Sequence, residues 1–469
     1  MRVLYCASEC APFFGSGGLA EVAGALPDAL NALPGGAVDC RVFLPFYSSV
    51  KEEYTRKFKQ IGTLTVAVGW RRQECILWEY KRGSVIYYFL SNAYYFSRPG
   101  SIYGHYDDAE RFACFSRGIW EALELLGDWT PELIHCNDWH TALVPVYRSF
   151  YPQHMGIRTV LTLHNLLFQG VYDPYILGDV FGLDEGYLGC MKHREALNLL
   201  RGGITCADAV NAVSPNYAKE ILTPGGGEGL DGVLRRYEGK LRGILNGIDN
   251  ALYNPADDPE LASAYSAENT AGKAECKAQL QTLFGLEADA AAPVIGMVTR
   301  LSAQKGLQML MDCMEGFLNN YRAQLVMLGS GDAEYERYFS CLSRRFPGRV
   351  GIEFAYNPVL AHKVYAGSDF FLMPSLFEPC GLGQMYALRY GAVPIVRETG
   401  GLKDTISDTN GITFFDPSGY ELYRALERAM SLWGDKAGYA AQQKRGMEEN
   451  HGWTTSAAAY AQMYKNLVS

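Results

Sequence analysis

No apolar run in this chain approaches the roughly twenty consecutive residues that a membrane-spanning helix needs. The N-terminus is equally poor in targeting signal: its short apolar stretch is broken by Ser8, Glu9 and Pro12, so it does not read as a signal peptide and the cytoplasm is the expected compartment. There are twelve cysteines, yet no Cys-x-x-Cys and no Cys/His cluster at zinc spacing, so they read as reduced, mostly buried thiols. Positive charge is in short supply. Forty-two Lys and Arg against 51 Asp and Glu leave a net charge of −9, which argues against nucleic acid as a bulk partner. A small anion in a local basic cleft is still compatible with that balance.

What is present describes a globular α/β protein. At 469 residues the chain exceeds one ordinary core, so two or three domains are expected. Short β-rich runs recur, each followed by a helical stretch: Val3–Ala7, Cys40–Leu44, Val85–Leu90, Leu133–Cys136, Arg158–Leu163 and Ala209–Val213. A second series comprises Val294–Val298, Gln324–Leu328, Gly351–Phe354, Phe370–Met373 and Val393–Val396. Strands alternating with helices predict parallel sheets wrapped by helices. Gly69–Leu90 reads instead as hairpins. Asn-Gly and Asn-Pro turns near residue 250 mark the passage between two doubly wound domains, whose ligands bind at the carboxyl ends of strands.

At the first such strand end stands Gly15-Ser16-Gly17-Gly18, followed by a pattern of helical period from Leu19 to Leu26. Strand, glycine loop and helix make a seat for an anion. The stretch formally fits the dinucleotide pattern G-x-G-x-x-A, but eight residues, Ser8 to Gly15, would have to be part of the turn. Asp39 also precedes the second strand rather than ending it, contrary to that motif. A seat for phosphate or sugar fits better than NAD or FAD; a plain glycine turn is the alternative.

The loop lacks a cation, and the second half supplies two. In "VIGMVTRLSAQKGLQML", Arg300 and Lys305 lie on the turn that leaves a strand, where they can offset the charge of a diphosphate. A salt-bridged surface pair is the alternative for any Arg and Lys in a loop. In "FLMPSLFEPCGLGQMYALRYG", Glu378 precedes a glycine-rich helix start, with Gly400 and Gly401 after the next strand. A carboxylate there either caps a helix dipole or accepts hydrogen bonds from sugar hydroxyls.

With these residues stand "GGLAEVAGALP", "IHCNDWHTAL", "LTLHNLLFQG", "LTPGGGEGLDGVL", "LNGID" and "RETGGLKDT". Together they resemble the bacterial glycogen synthases, a family shared with the plant starch synthases, along nearly the full chain. The resemblance implies a GT-B glycosyltransferase fold: two Rossmann-like doubly wound α/β domains facing a crevice. It implies an acceptor domain over 1–247, a nucleotide-sugar domain over 248–450, and a last helix, 451–469, that packs back on the first domain. The implied reaction moves glucose from ADP-glucose to the non-reducing end of an α-1,4-glucan such as glycogen, with retention. No metal or cofactor is implied, and the chain contains no Asp-x-Asp.

By resemblance, Arg300 and Lys305 stabilise the departing diphosphate. Glu378 orients the transferred glucose, followed in its motif by Cys380, Gly381 and Leu382. His164 stands beside the glucose; Asn165, Asp138 and Trp139 are on the acceptor side. Asn246 of "LNGID" and Tyr356, either a stacking partner for the adenine or an ordinary cleft-edge tyrosine, complete the donor set with Gly15, Ser16, Gly17 and Gly18.

One position departs from the family pattern. Where the family carries Lys-Thr-Gly-Gly-Leu, or Lys-Val-Gly-Gly-Leu in plants, this chain has Gly15-Ser16-Gly17-Gly18-Leu19. Losing one charge-assisted contact to phosphate removes roughly 1.5–3 kcal/mol, or about one to two decades in affinity or rate. Three outcomes stay open: an ADP-glucose enzyme with altered donor affinity, an enzyme using another donor such as UDP-glucose, or a weakly active glucan-binding regulatory paralogue. The presence of His164, Arg300, Lys305 and Glu378 together favours an active enzyme.

Overall fold

The apolar runs become the strands of two separate parallel sheets. A computed structural model describes residues 1–15 and 17–469, so Ser16 lies outside the described residues. The chain divides into one unit of Met1–Gly247 with Trp453–Ser469 and a second of Ile248–Gly452.

In the first unit the strands are β1 (Arg2–Cys6), β2 (Asp39–Pro45), β3 (Lys59–Val68), β4 (Arg71–Arg82), β5 (Val85–Ser91), β6 (Leu133–Asn137) and β7 (Arg158–Leu163). The short β8 (Val171–Tyr172), β9 (Lys192–His193) and β10 (Ala196–Asn198) pair only with one another; β11 (Ala209–Ala212) and β12 (Leu241–Gly243) rejoin the main sheet. Its order is β12-β11-β7-β6-β1-β2-β5-β4-β3, parallel from β12 to β5 and antiparallel through β4 and β3. Strand order reverses between β1 and β6, and the crevice at such a point, outside the carboxyl ends, is where doubly wound sheets take ligands.

The second unit contains β13 (Val294–Val298), β14 (Gln324–Leu328), β15 (Val350–Glu353), β16 (Phe370–Met373), β17 (Val393–Arg397) and β18 (Ile412–Phe414), in the order β15-β14-β13-β16-β17-β18. All pairs are parallel, and the order reverses between β13 and β16. Both faces of this sheet are covered, which is why strands such as Val-Ile-Gly-Met-Val read as continuous apolar runs. Helix Leu307–Asn320 buries Leu307, Leu310, Met314, Phe317 and Leu318, the three-and-four spacing of an amphipathic helix facing a core.

The hairpins begin earlier than the sequence pattern indicates, at Lys59 rather than Gly69. Lys59, Gln60 and Thr65 face solvent on an edge strand, and this polar face masks the strand. Strands β8, β9, β10, β12 and β18 are two or three residues long, too short to show a period. Among the described residues no helix is long and apolar enough to cross a membrane.

The final helix, Trp453–Val468, is sewn to the first unit by buried polar bonds. His135 on β6 lies between the Tyr464 hydroxyl at 2.6 Å and Thr162 Oγ1 at 2.6 Å, all in the interior. Asn211 Nδ2 donates to the Tyr460 hydroxyl at 2.9 Å. Burial holds His135 neutral, its pKa lowered to about 3. Tyr464→Phe leaves an imidazole nitrogen buried without its partner, so urea denaturation is expected to show a loss of about 1–3 kcal/mol. Wild-type stability in this variant would contradict the role assigned to the bond.

Candidate functional site

In the second unit the loops after β13 and β16 meet at the switch point. Lys305 Nζ donates to Glu378 Oε2 at 2.6 Å, and Ser375 Oγ donates to the same oxygen at 2.9 Å. Glu378 is buried, so its charge needs both partners. Gln304 stitches the two loops: its carbonyl accepts from Leu376 N at 2.8 Å, and its Nε2 donates to Phe377 O at 3.2 Å. Gly306 makes this approach possible. Its φ of +69° is left-handed, and a Cβ there would stand 2.0 Å from Pro374 O. The loop after β17 joins through Gly401 N, which donates to Glu378 O at 3.1 Å.

Arg300, on the same turn as Lys305, is exposed, and its guanidinium has no hydrogen bond or ion pair among the described residues. The surface-salt-bridge alternative therefore fails for Arg300, while Lys305 is paired inside the site. Cys380 is buried, Gly381 takes a φ of +70°, and Leu382 precedes helix Gly383–Arg389, which places all three beside Glu378. Tyr356 is not gathered with them. It follows β15 at the sheet edge and is 90% exposed, open as a stacking face but unpacked.

In the first unit the carboxyl ends of β6 and β7 are neighbours, which brings together Asp138, Trp139, His164 and Asn165, while Gly15 lies against Ala20 and Glu9 in the loop after β1. Asp138 Oδ1 accepts from His164 N at 2.7 Å, and the Asn165 amide also donates to this carboxylate. Asp138 holds a φ of 54°, an uncommon conformation for a residue with a side chain and one concentrated at functional sites. Burial pushes its carboxyl up to about 7, against the pull of those two amides. Trp139 is buried, its ring against His140 and Phe112 at 4.2 and 5.1 Å. Asn246, beyond β12, is also buried, and its Oδ1 has no hydrogen-bond partner among the described residues.

His164 is aimed by Asn137, a residue that the sequence patterns did not single out. Asn137 Nδ2 donates to Cys6 O at 2.9 Å, which fixes Oδ1 as the acceptor for Tyr5 OH at 3.0 Å and for His164 Nε2 at 2.8 Å. The imidazole thus carries its proton on Nε2 and leaves the Nδ1 lone pair available. Ser375 was missed likewise. Both stood inside quoted motifs, but nothing in a motif says which strand ends become neighbours.

The glycine loop adds a steric constraint. A Cβ on Gly15 would stand 2.2 Å from Ala20 Cβ, whereas Gly17 and Gly18 have open space around them. Any side chain at position 15 requires a different loop path, so the residue is more than a missing ammonium. Ser16 lies outside the described residues.

Residues 2–236 match the family described as the starch synthase catalytic domain, and residues 282–447 match the group 1 glycosyl transferases. The chain is 44% identical to the glycogen synthase of Geobacillus thermodenitrificans, covering 100% of this chain and 98% of that one. It is 46% identical to the glycogen synthase of Clostridium botulinum, covering 100% and 99%. The catalytic domain of starch synthase IV from Arabidopsis thaliana, bound to ADP and acarbose, matches with a TM-score of 0.91 and 33% identity over 100% of this chain and 99% of that one. The fold and these matches define a glycosyltransferase of the GT-B class. Within that class, the chain belongs to the glycogen and starch synthase family.

Burial lowers the pKa of His164 from 6.5 to about 3. A group so depressed contributes stability above its unfolded pKa, lost as pH falls from about 6.5 toward 3. Imidazole nitrogen shifts are expected to show His164 neutral and protonated on Nε2 at pH 5.5. A doubly protonated ring at that pH would contradict the assignment.

Proposed function

We propose that the chain transfers glucose from ADP-glucose to the non-reducing end of an α-1,4-glucan, with retention of configuration, in glycogen synthesis. Full-length similarity to glycogen synthases and the ADP in the matched starch synthase support this reading. The unit Ile248–Gly452 then holds the nucleotide sugar, and the unit Met1–Gly247 the glucan acceptor. Twelve free thiols and the lack of a membrane-crossing helix among the described residues fit a cytoplasmic enzyme.

The observation that carries the reading is the arrangement at the β13/β16 switch point: a buried carboxylate paired with Lys305, and on the same turn as that lysine a guanidinium with no partner among the described residues. Breaking the bond between glucose and the diphosphate puts negative charge on the leaving phosphate and positive character on the sugar. Arg300 is free to meet the first, with Lys305 bridging toward it from Glu378. Glu378, held in place by Lys305 and Ser375, accepts hydrogen bonds from glucose hydroxyls and orients the ring. Neutral His164 sets no positive charge against the sugar and offers Nδ1 to a hydroxyl. The acceptor hydroxyl enters on the face that the phosphate leaves and gives its proton to the departing phosphate oxygen, which preserves configuration without a covalent nucleophile.

Gly15 keeps a second reading in view, a different donor such as UDP-glucose, because the loop lacks the family's ammonium. Incorporation of labelled glucose into glycogen from each donor separates the two. Arg300→Ala is expected to lower kcat about 10²–10³-fold, with folding stability within about 0.5 kcal/mol of wild type because the side chain is exposed and has no partner among the described residues. Wild-type turnover in Arg300→Ala would overturn the mechanism. No incorporation from either donor, with glycogen binding intact, would leave only a glucan-binding protein.

A further inference from the structure

Past His164 the first unit builds a pocket of about 530 Å3, walled by the three short strands β8, β9 and β10 and by the turn at residues 228–229. None of the residues assigned above lines it. We propose that this pocket is a remote glucan subsite, which grips glucose units of the acceptor chain away from its reacting end. The inference rests on the reading that the acceptor is an α-glucan.

The chemistry of the lining selects a neutral polyol. Arg194 is exposed, its guanidinium laid against Gly229 and without a hydrogen bond or ion pair among the described residues. The Glu228 carboxylate also has neither among them. Free donors and free acceptors in one cavity suit hydroxyl groups, which serve as both. Lys192 offsets Glu195 at 3.8 Å, and the remaining Asp173 and Glu228 outnumber Arg194, so the lining does not favour a phosphate or nucleotide. Beside them Val171 and Tyr175 are 56% and 89% exposed, apolar faces of the kind that pack against the C–H face of a sugar ring.

The pocket is also built in advance. Asn198 Nδ2 donates to Gln169 Oε1 at 2.6 Å, Gln169 Nε2 donates to Glu228 O at 2.9 Å, and His193 Nε2 donates to Gly229 O at 2.9 Å. These ties cross between the walls, so little ordering is left for a ligand to impose. Among the described residues only three non-glycine positions have positive φ: Asp138, Arg194 and Glu228. Two of the three face this cavity, at 54° and 48°, and such strain persists only where the surroundings enforce it. The pocket also joins the acceptor side, since the Tyr172 ring on β8 lies 6.2 Å from that of Trp139.

Arg194→Gly/Glu228→Gly removes both free groups while relieving two strained positions, so the fold should survive. The readouts are kcat/KM for maltoheptaose and for maltotriose, with affinities for both and for ADP by calorimetry. The double variant is expected to lose about ten-fold in its preference for the longer acceptor, the scale of one or two hydrogen bonds, while ADP affinity holds. A preference equal to wild type, or equal losses with both acceptors, would overturn the subsite. If the wild type transfers no glucose but the double variant still loses maltoheptaose affinity, the subsite stands and the proposed reaction falls.

Discussion

Glu378 and Lys305 are held 2.6 Å apart at the point where the strand order of the second sheet reverses. A buried carboxylate without a partner costs several kcal/mol, so this pair is a condition of the loop's conformation as well as a feature of its chemistry. It draws the turn after β13 onto the turn after β16, and the left-handed Gly306 lets the backbones meet. With Lys305 so engaged, Arg300 is the cation on that turn with no partner among the described residues. Division of labour between the two follows: one holds the buried acid, and the other is left without a partner among the described residues.

The first unit solves a related problem with neutral groups. Asn137 fixes the tautomer of His164, and Asp138 fixes its backbone by accepting the amide of the same residue. Burial depresses the imidazole and elevates the carboxyl, so positive and negative charge are both discouraged beside the place proposed for the glucose. That environment suits hydrogen bonding to hydroxyls, and the polar pocket beyond β8 extends the same chemistry outward. The proposed nucleotide-facing and glucan-facing roles thus correspond to different electrostatics in different units.

How much of this could be read from residues alone varied with burial. Val294–Val298, Gln324–Leu328 and Phe370–Met373 were legible as strands because a sheet covered on both faces demands unbroken apolar runs. Lys59–Val68 was not, since half of an edge strand faces water, and three-residue strands such as β12 carry no period at all. Arg300, Lys305 and Glu378 stood out as charged residues at strand ends, and the family resemblance supplied their roles. Asn137 and Ser375 stayed hidden because their importance depends on which strands are neighbours, a tertiary fact. Gly15 shows the converse: the sequence displayed a lost lysine, and only the fold displays Ala20 closing the space where a side chain would start.

Calorimetric titration with ADP and with adenosine addresses the central claim, that the free guanidinium of Arg300 takes up diphosphate charge. Arg300→Ala should weaken ADP binding by about ten- to a hundred-fold and leave adenosine binding as it was. Equal affinity of wild type and variant for ADP, or a matching loss for adenosine, would contradict it.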